Sequence, residues 1–580
     1  MQLVRRYRIP ALCCALAVLV CELISQPYAN MGICDDGPYI LVAQHLAATG
    51  HIVYNGWSAA MLLWQLYLAA ALIKLFGFSY TTVRMSTVLV AVLLAFFLQR
   101  SMVRASISEL NATLGTLALV LSPLYLLLSA TFMSDVHGLF AIVLCLYGCL
   151  RALQAASART AIGWLCFAIA ANGICGTSRQ LAWLGILVMV PSTLWLLRAR
   201  RRVLIAGAVA NLAGILFILV CLFWLKHQPY TTPETFRISN VPLAHMAQVF
   251  LHFFLEIPFL LLPLMVIFFP EIWKGGRRSL ALVSAVILAF AAEALYLRRL
   301  PFLEPSLRDA PGCDWVTIFG EYESIIHGNP PIFLKGPVQF LLTLACLGGL
   351  LGLVVSLFHP RSTRIVENAS AELTWKQLRI LLVPFAAGYI ALLILRAASV
   401  ANDNTGMLFD RYALGLLLAA SIVLVRYYQD RVRRAIPLVG VIFIAVVAAY
   451  GVSVTHNTFS LYRARIDMAN ELAAAGVPTT ATDNGWEFNL GVQLQHARSV
   501  NNFVIALPAD VYVPPPPLPA GTCEVNYYQM TPVIHPIYGV SFDSDACYGP
   551  APFAPVRYSR WLAGSPGILY AVRYVPFVKP

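Results

Sequence analysis

Apolar runs recur along most of this chain, separated by short polar segments. A helical run of about 20 apolar residues crosses the hydrocarbon core of a bilayer, which is roughly 30 Å thick. The pattern therefore predicts an all-α polytopic membrane protein with about thirteen transmembrane helices. The predicted spans cover residues 9–26, 79–99, 111–129, 136–153, 161–177, 181–197, 203–225, 243–270, 279–297, 337–357, 379–396, 411–428 and 435–455.

The cations fix the orientation of these spans. The chain has 40 Lys and Arg against 27 Asp and Glu, a formal net charge of +13. The cations gather in short segments at one side of the bundle, such as 198–202 and 431–434, and short cytoplasmic loops are enriched in such residues. We therefore predict an inner (plasma) membrane protein with a cytoplasmic N-terminus and an extracytoplasmic C-terminus. The basic excess reports topology, so membrane lipids are expected partners and nucleic acid is not.

Two apolar segments need separate interpretation. If the segment 57–76 crossed the membrane, every later arginine cluster would face outward, so we predict a juxtamembrane helix there. The N-terminal run resembles a signal peptide, but it is long and no small-x-small cleavage site follows it. We predict that it stays as the first span.

The composition changes near residue 456. Over the whole chain only 12% of the residues are charged, about half the usual density in soluble proteins. Residues 456–580 differ from the rest because they are rich in proline and contain no spanning segment. We predict a transmembrane domain over 1–455, with a first extracytoplasmic loop over 27–78. A small α+β or β-rich extracytoplasmic domain follows over 456–580.

Four cysteines are predicted to lie outside the membrane on the extracytoplasmic side. Cys523 and Cys547 are candidates for a disulfide in an oxidising compartment. Cys34 and Cys313 form a second, weaker candidate pair.

Two adjacent carboxylates, Asp35 and Asp36, directly follow the first span. They open an amphipathic segment, 38–49, in which Pro38 suits the first helical turn and Gly50 suits the C-terminal cap. Asp36 could serve only to complement the helix N-terminus. Alternatively, a carboxylate here acts as a general base at the membrane surface.

This run resembles the first extracytoplasmic loop of the GT-C glycosyltransferases. More narrowly, it is similar to bacterial relatives of protein O-mannosyltransferases and of aminoarabinose lipid A transferases. A short helix ends at Gly50, a juxtamembrane helix follows, and the next span begins near 82–85. Those enzymes usually have Asp-Glu where this chain has Asp35-Asp36. The resemblance implies a polyprenyl-phosphate-linked sugar donor and a catalytic Asp35. Asp36 is the second catalytic candidate, which could orient Asp35, bind the acceptor or join a metal site.

Two further stretches continue the resemblance. Asp135 and His137 open the fourth span at the family's second acidic position, in the vicinity of the acceptor or a metal. Asp135 alternatively forms a structural pair with Arg84, because an intramembrane arginine needs a partner. Arg179 and Arg411 are candidates for binding the donor phosphate, since a guanidinium can engage it bidentately; alternatively they extend to the membrane interface.

Other polar groups leave alternatives open. Tyr412 accompanies Arg411 as a donor-binding candidate or as an aromatic-belt residue. His252 and Glu256 are one helical turn apart within the eighth span. Such groups usually face a cavity or a partner, and a divalent metal is a candidate cofactor there, although the metal requirement is unknown.

The expected reaction moves a sugar from a polyprenyl phosphate to the hydroxyl of a lipid, glycan or protein acceptor, with inversion and with Asp35 as the base. The leaving phosphate needs charge neutralisation, and the acceptor hydroxyl needs a base. The alternative is a transporter or flippase of a lipid-linked or small polar substrate, whose charges would lie near mid-bilayer. A non-enzymatic sensor or assembly protein is a third hypothesis.

Overall fold

A computed structural model of the chain describes residues 8–232, 243–297, 326–331, 336–358, 373–398, 400–401, 404–405 and 408–576. Its helices are α1 (Ile9–Ser25), α2 (Asp36–Thr49), α3 (Leu63–Phe76), α4 (Tyr80–Arg104), α5 (Glu109–Val120), α6 (Pro123–Ser129), α7 (Ser134–Leu153), α8 (Ala158–Gly176), α9 (Val190–Leu196), α10 (Arg201–Lys226), α11 (Leu243–Leu260), α12 (Leu262–Met265), α13 (Gly276–Leu297), α14 (Gly336–Phe358), α15 (Trp375–Ala398), α16 (Leu414–Tyr427), α17 (Leu438–Ala474) and α18 (Trp486–His496).

Helical structure occurs at each predicted span. By length and composition, eight of the described helices can cross a membrane, or nine if the bent pair α5–α6 counts as one span. The chain is therefore a multi-pass membrane protein, while the number thirteen stays a prediction. Helix α3 has 14 residues and packs against α2 and α4, within the segment predicted to be juxtamembrane.

The break between α5 and α6 has a local cause. Ser122 Oγ accepts a hydrogen bond from the Tyr125 amide, and Pro123 occupies the first position of the new helix, where its missing N–H costs nothing. The two helices consequently meet at 68°.

The C-terminal region confirms the predicted small α+β domain. Strands β3 (Thr482–Asp483), β4 (Tyr538–Ser541), β5 (Val556–Tyr558) and β6 (Gly567–Arg573) form a sheet in the order β3-β4-β6-β5. The β3–β4 pair is parallel and the other two pairs are antiparallel. A separate two-stranded ribbon joins β1 (Val400–Ala401) to β2 (Asn404–Thr405).

The predicted Cys523–Cys547 disulfide is present, with the two Cα atoms 5.8 Å apart. Cys34 is also disulfide-bonded. Its predicted partner, Cys313, lies outside the described residues.

Helix α17 joins the bundle to the sheet domain without a break. It has 37 residues, so the predicted domain boundary at 455/456 falls inside it. There the His456 ring stacks on Trp561, with ring centroids 3.8 Å apart, and its Nε2 lies 3.1 Å from Ser559 Oγ. We call the end of the bundle that contacts this domain the domain end, and the opposite one the far end.

Candidate active site at the domain end of the bundle

A tight loop between α1 and α2 carries the two adjacent carboxylates. Gly32 and Gly37 approach so closely that a Cβ on Gly32 would lie 2.9 Å from the Gly37 Cα. A larger residue at position 32 would therefore not fit without a shift of the backbone. Helix α2 then begins at Asp36 and ends before Gly50, which has the positive φ of 77° expected of a C-terminal cap. The side chains of Asp35 and Asp36 leave this loop in different directions and meet different partners.

Asp36 forms what we call the anchor cluster with Arg84 of α4. Both side chains are almost completely buried, and Arg84 Nε lies 2.8 Å from Asp36 Oδ2. Asp36 also accepts hydrogen bonds from the amides of Ile33 at 2.7 Å and Phe132 at 3.1 Å. The remaining Arg84 nitrogens donate to backbone carbonyls of the α1–α2 loop. A buried carboxylate held by this many donors is a structural element, so the orienting, acceptor-binding and metal roles considered for Asp36 are not supported.

The predicted structural pair of Arg84 with Asp135 is wrong. Arg84 is paired with Asp36, and Asp135 is paired with Arg179, whose Nη1 lies 2.6 Å from Asp135 Oδ1. Both arginines and both carboxylates lie at the domain end of their helices, so position along the spans could not decide between the pairings.

Asp35, Asp135, Arg179 and Arg411 form a second group, which we call the charge cluster. Arg411 Nη2 lies 3.4 Å from Asp35 Oδ2, and Arg411 Nε lies 4.0 Å from Asp135 Oδ1. The two guanidiniums therefore meet around one buried carboxylate. Asp135 Oδ2 has no hydrogen-bond partner among the described residues. Buried polar atoms are normally paired, so a polar ligand group at this point would meet an unused acceptor.

Aromatic rings and small residues hold the two arginines in place. Arg179 lies over the Tyr412 ring at 4.9 Å, and Arg411 lies over Phe409 at 4.3 Å. Gly138 of α7 leaves room for the Arg179 stem, because a Cβ there would lie 3.1 Å from the Arg179 Cβ. A crevice beside the cluster is lined by Asp135, Gly138, Leu139, Ile142, Arg179, Leu181, Ala182, Tyr389, Arg411, Leu414 and Gly415.

Asp35 is the carboxylate of the charge cluster that retains an opening to solvent, with 14% of its side chain exposed against 1% for Asp135. Burial raises the pKa of Asp35 above 3.8, while the charge of Arg411 and a hydrogen bond from Trp57 oppose that shift. The carboxylate is thus both desolvated and held by donors. Desolvation shifts the pKa of a carboxyl group toward neutral pH, which makes its carboxylate a stronger general base.

The described residues near the charge cluster offer no set of ligands for a metal ion. His137 is buried, and its Nε2 lies 3.3 Å from Thr87 Oγ1. Among the parts of the chain that are described, the only three metal-ligand side chains close enough to share an ion are His327, Cys523 and Cys547, and these cysteines are joined in the disulfide. The side chains of His252 and Glu256 lie outside the described structure.

Three site residues were not identified from the sequence. Trp57 Nε1 donates to Asp35 Oδ1 at 3.1 Å. Tyr39, one turn into α2, is buried, and burial together with the Asp35 charge raises its pKa well above 10. Tyr389 lines the crevice from α15. A sequence signal existed only for Trp57, which sits in the polar interruption 54–58 of an otherwise apolar stretch.

No protein-family model matches the chain, and no curated protein matches it. Several solved structures do resemble it. ArnT from Cupriavidus metallidurans bound to undecaprenyl phosphate is 16% identical, with 96% of each chain covered and a TM-score of 0.40. The S. cerevisiae protein O-mannosyltransferase Pmt1-Pmt2 complex bound to the sugar donor is 15% identical over 38% of this chain and 32% of that chain, with a TM-score of 0.31.

A third resemblance is to the Archaeoglobus fulgidus oligosaccharyltransferase, which is 14% identical over 80% of this chain and 59% of that chain, with a TM-score of 0.38. At these TM-scores and identities the similarity says nothing about activity or residue roles. Those depend on the chemistry of the charge cluster.

Proposed function

We propose that the chain is a membrane glycosyltransferase that moves a sugar from a polyprenyl-phosphate donor to an acceptor hydroxyl at the domain end of the bundle. The observation that supports this most directly is the charge cluster. In it the buried guanidinium of Arg411 and the partly buried one of Arg179 lie beside the desolvated, partly open carboxylate of Asp35. Such a transfer needs neutralisation of a leaving phosphate and deprotonation of a poor nucleophile. The cluster offers both kinds of group side by side.

In the proposed mechanism, the donor phosphate binds between Arg179 and Arg411 and competes with Asp135 for their N–H groups. Guanidinium groups suit this exchange because they engage phosphate bidentately and remain charged. As the bond from the sugar to the phosphate oxygen breaks, the phosphate takes the electron pair and its added charge is stabilised by the two arginines. Asp135 Oδ2 is then placed to accept a hydrogen bond from a sugar hydroxyl.

Asp35 is the proposed base. It accepts the proton of the acceptor hydroxyl while the acceptor oxygen forms the new bond to the sugar carbon, opposite the departing phosphate. A single displacement of this kind inverts the anomeric centre. The acceptor is the hydroxyl of a lipid, a glycan or a protein. By the distribution of cations, we place the domain end on the extracytoplasmic side of the inner membrane.

The Asp35→Asn variant tests the proposal. We expect transfer to fall by about 10²–10⁴-fold, the usual worth of a general base, with unchanged yield of folded protein. The readout is mass analysis of envelope lipids and glycans from cells that produce each variant or lack the protein. Identification of the product would also name the sugar and the acceptor.

Asp430→Asn is a matched control. Asp430 also accepts an indole N–H, from Trp375 at 2.8 Å, and pairs with an arginine, Arg426, at 3.3 Å, but it lies at the far end. Full activity of Asp35→Asn, or equal losses in the two variants, would contradict the assignment of the base.

A further inference from the structure

The bond from Trp57 to Asp35 is part of a path that leads into the sheet domain. The Trp57 ring packs on Trp486, the first residue of α18, with centroids 4.7 Å apart, and Trp486 packs on Tyr527 at 4.8 Å. Trp486 is itself buried. The indole that donates to Asp35 is therefore held from behind by aromatic side chains of the other domain.

The backbone around Trp57 is fixed from two sides. On the sheet-domain side, the Val500 amide donates to the Asn55 carbonyl at 2.8 Å, and Asn502 Nδ2 donates to the Gly56 carbonyl at 3.1 Å. On the other side, Thr232 Oγ1 donates to the Trp57 carbonyl at 3.3 Å. These bonds fix the backbone that carries Trp57, while the contact with Trp486 supports the indole itself.

Gly56 shows how closely the two domains approach here. Its φ is +85°, a conformation that glycine adopts readily and other residues rarely do. A Cβ at this position would lie 2.7 Å from Ile505 Cδ1 and 3.1 Å from the Val500 carbonyl oxygen. A glycine at this contact therefore permits the sheet domain to reach the loop that carries Trp57.

We propose that Trp57 is a positioning residue for the base Asp35, and that the sheet domain serves the reaction by holding Trp57 in place through Trp486. This inference rests on the proposed function for its catalytic meaning, but the contact itself can be tested without substrate. The indole N–H donates to one carboxylate oxygen, Oδ1, and so fixes the orientation of the carboxylate. It leaves Oδ2 on the side of Arg411 and the crevice.

The same N–H stabilises the charged form of Asp35, because a hydrogen bond to a carboxylate favours ionisation. The other charged or titratable groups acting on Asp35 are Arg411, Asp135 of α7, Glu487 of α18 and Tyr39 of α2. Arg84 of α4 is engaged by Asp36 in the anchor cluster. All of these groups are unchanged when only the indole nitrogen is removed.

The test is Trp57→Phe in the full-length protein, which keeps an aromatic ring against Trp486 and removes the donor. Dicyclohexylcarbodiimide, a reagent that modifies protonated carboxyl groups in apolar surroundings, is applied across a pH series. Modification of Asp35 is then read by peptide mass spectrometry. We expect the labelling midpoint to move to higher pH by about one unit, the effect of a tenfold change in the protonation equilibrium and typical of losing a hydrogen bond to a charged group.

Trp375→Phe is the matched control, because it removes the indole bond to Asp430 at the far end and should leave the Asp35 midpoint unchanged. Trp486→Ala keeps the donor but removes its support, so it should shift the midpoint in the same direction by a smaller amount. Added to Trp57→Phe it should have no further effect, because both changes break the same path. The Trp486→Ala shift also keeps the test decisive if Trp57→Phe folds poorly.

In turnover, Trp57→Phe should lower kcat and leave the affinity for undecaprenyl phosphate unchanged, since neither arginine is touched. An unmoved labelling midpoint in both Trp57→Phe and Trp486→Ala would overturn this inference even if Asp35→Asn is inactive. Retained turnover in Asp35→Asn, together with a shifted midpoint, would instead refute the role of Asp35 as base and leave the contact established.

Discussion

Asp35 and Asp36 are neighbours in the chain, yet the anchor cluster and the charge cluster treat them in opposite ways. Asp36 accepts bonds from one arginine and two backbone amides in a site closed to solvent. Asp35 meets an indole and a more distant guanidinium beside an opening. Burial raises the pKa of Asp35 and so strengthens it as a base, whereas Asp36 is enclosed by its donors and closed to an acceptor. Of these two adjacent aspartates, one therefore has a structural role and the other is the proposed base.

The largest effect should come from breaking the anchor cluster. Asp36→Asn leaves the Arg84 guanidinium buried without its countercharge, and removing one partner of a buried ion pair typically costs about 3–5 kcal/mol. We expect a large loss of folded protein, measured by size-exclusion chromatography and thermal unfolding in detergent. Asp35→Asn, measured alongside at neutral pH, should unfold like the unmodified protein. Equal unfolding temperatures for the two variants would remove the distinction between the clusters.

A smaller effect is expected from the arginines of the charge cluster. Arg179→Gln and Arg411→Gln should each weaken binding of undecaprenyl phosphate by about 10- to 100-fold, the worth of a hydrogen bond to a charged group. Titration calorimetry or native mass spectrometry would measure this.

Arg463→Gln provides the control for the arginines. Arg463 also lies at the domain end and stacks on a tyrosine, Tyr28, at 4.3 Å, but it donates to backbone carbonyls away from the cluster. Its loss should leave lipid affinity unchanged. If all three variants bind equally well, the phosphate does not occupy the charge cluster.

The smallest effect is a dependence of stability on pH. Because the pKa of Asp35 is raised in the folded state, the folded protein binds this proton more tightly than the unfolded chain. Its contribution to stability is therefore present below the unfolded pKa of about 3.9 and is lost as the pH rises through the folded value. Asp35→Asn should remove this contribution, which a comparison of unfolding temperatures across pH would detect.

The raised pKa of Asp35 affects turnover in the opposite direction, because activity requires the ionised form. The base works only when ionised, so activity should fall as the pH drops through the raised pKa of Asp35. An acid limb below the ordinary value of 3.8, or a stability profile identical in the Asp35→Asn variant, would show that desolvation does not act on this carboxylate.

Much of the architecture was predictable because it depends on local pattern. The apolar period marked the helices, and Gly50 marked the end of α2. The disulfide of the sheet domain was predicted from its two cysteines and the expected compartment. Asp35, Asp135, Arg179 and Arg411 were all identified as candidates, and the structure brings these residues together. Their assigned roles stay predictions.

The pairing of charges was not predictable in the same way. Arg84 was expected to meet Asp135, because both lie near the same end of their spans. The actual partner of Arg84 is determined by the path of the α1–α2 loop, where Gly32 and Gly37 make contact. The path of a loop leaves no periodic pattern of apolar residues in the sequence. The contact between Trp57 and Asp35 likewise depends on how two domains meet, which hydropathy does not report.

Helix α17 is much longer than a membrane span requires. At 1.5 Å per residue its 37 residues measure roughly 55 Å, well beyond the roughly 30 Å of a hydrocarbon core. The excess length belongs to the sheet domain, because this part of α17 is buried and packs against β5 and β6. A truncation placed where hydropathy ends, near 455, would sever a continuous helix directly before His456, which stacks on Trp561 of the sheet domain. Any shortened form of the protein has to keep α17 whole through Ala474.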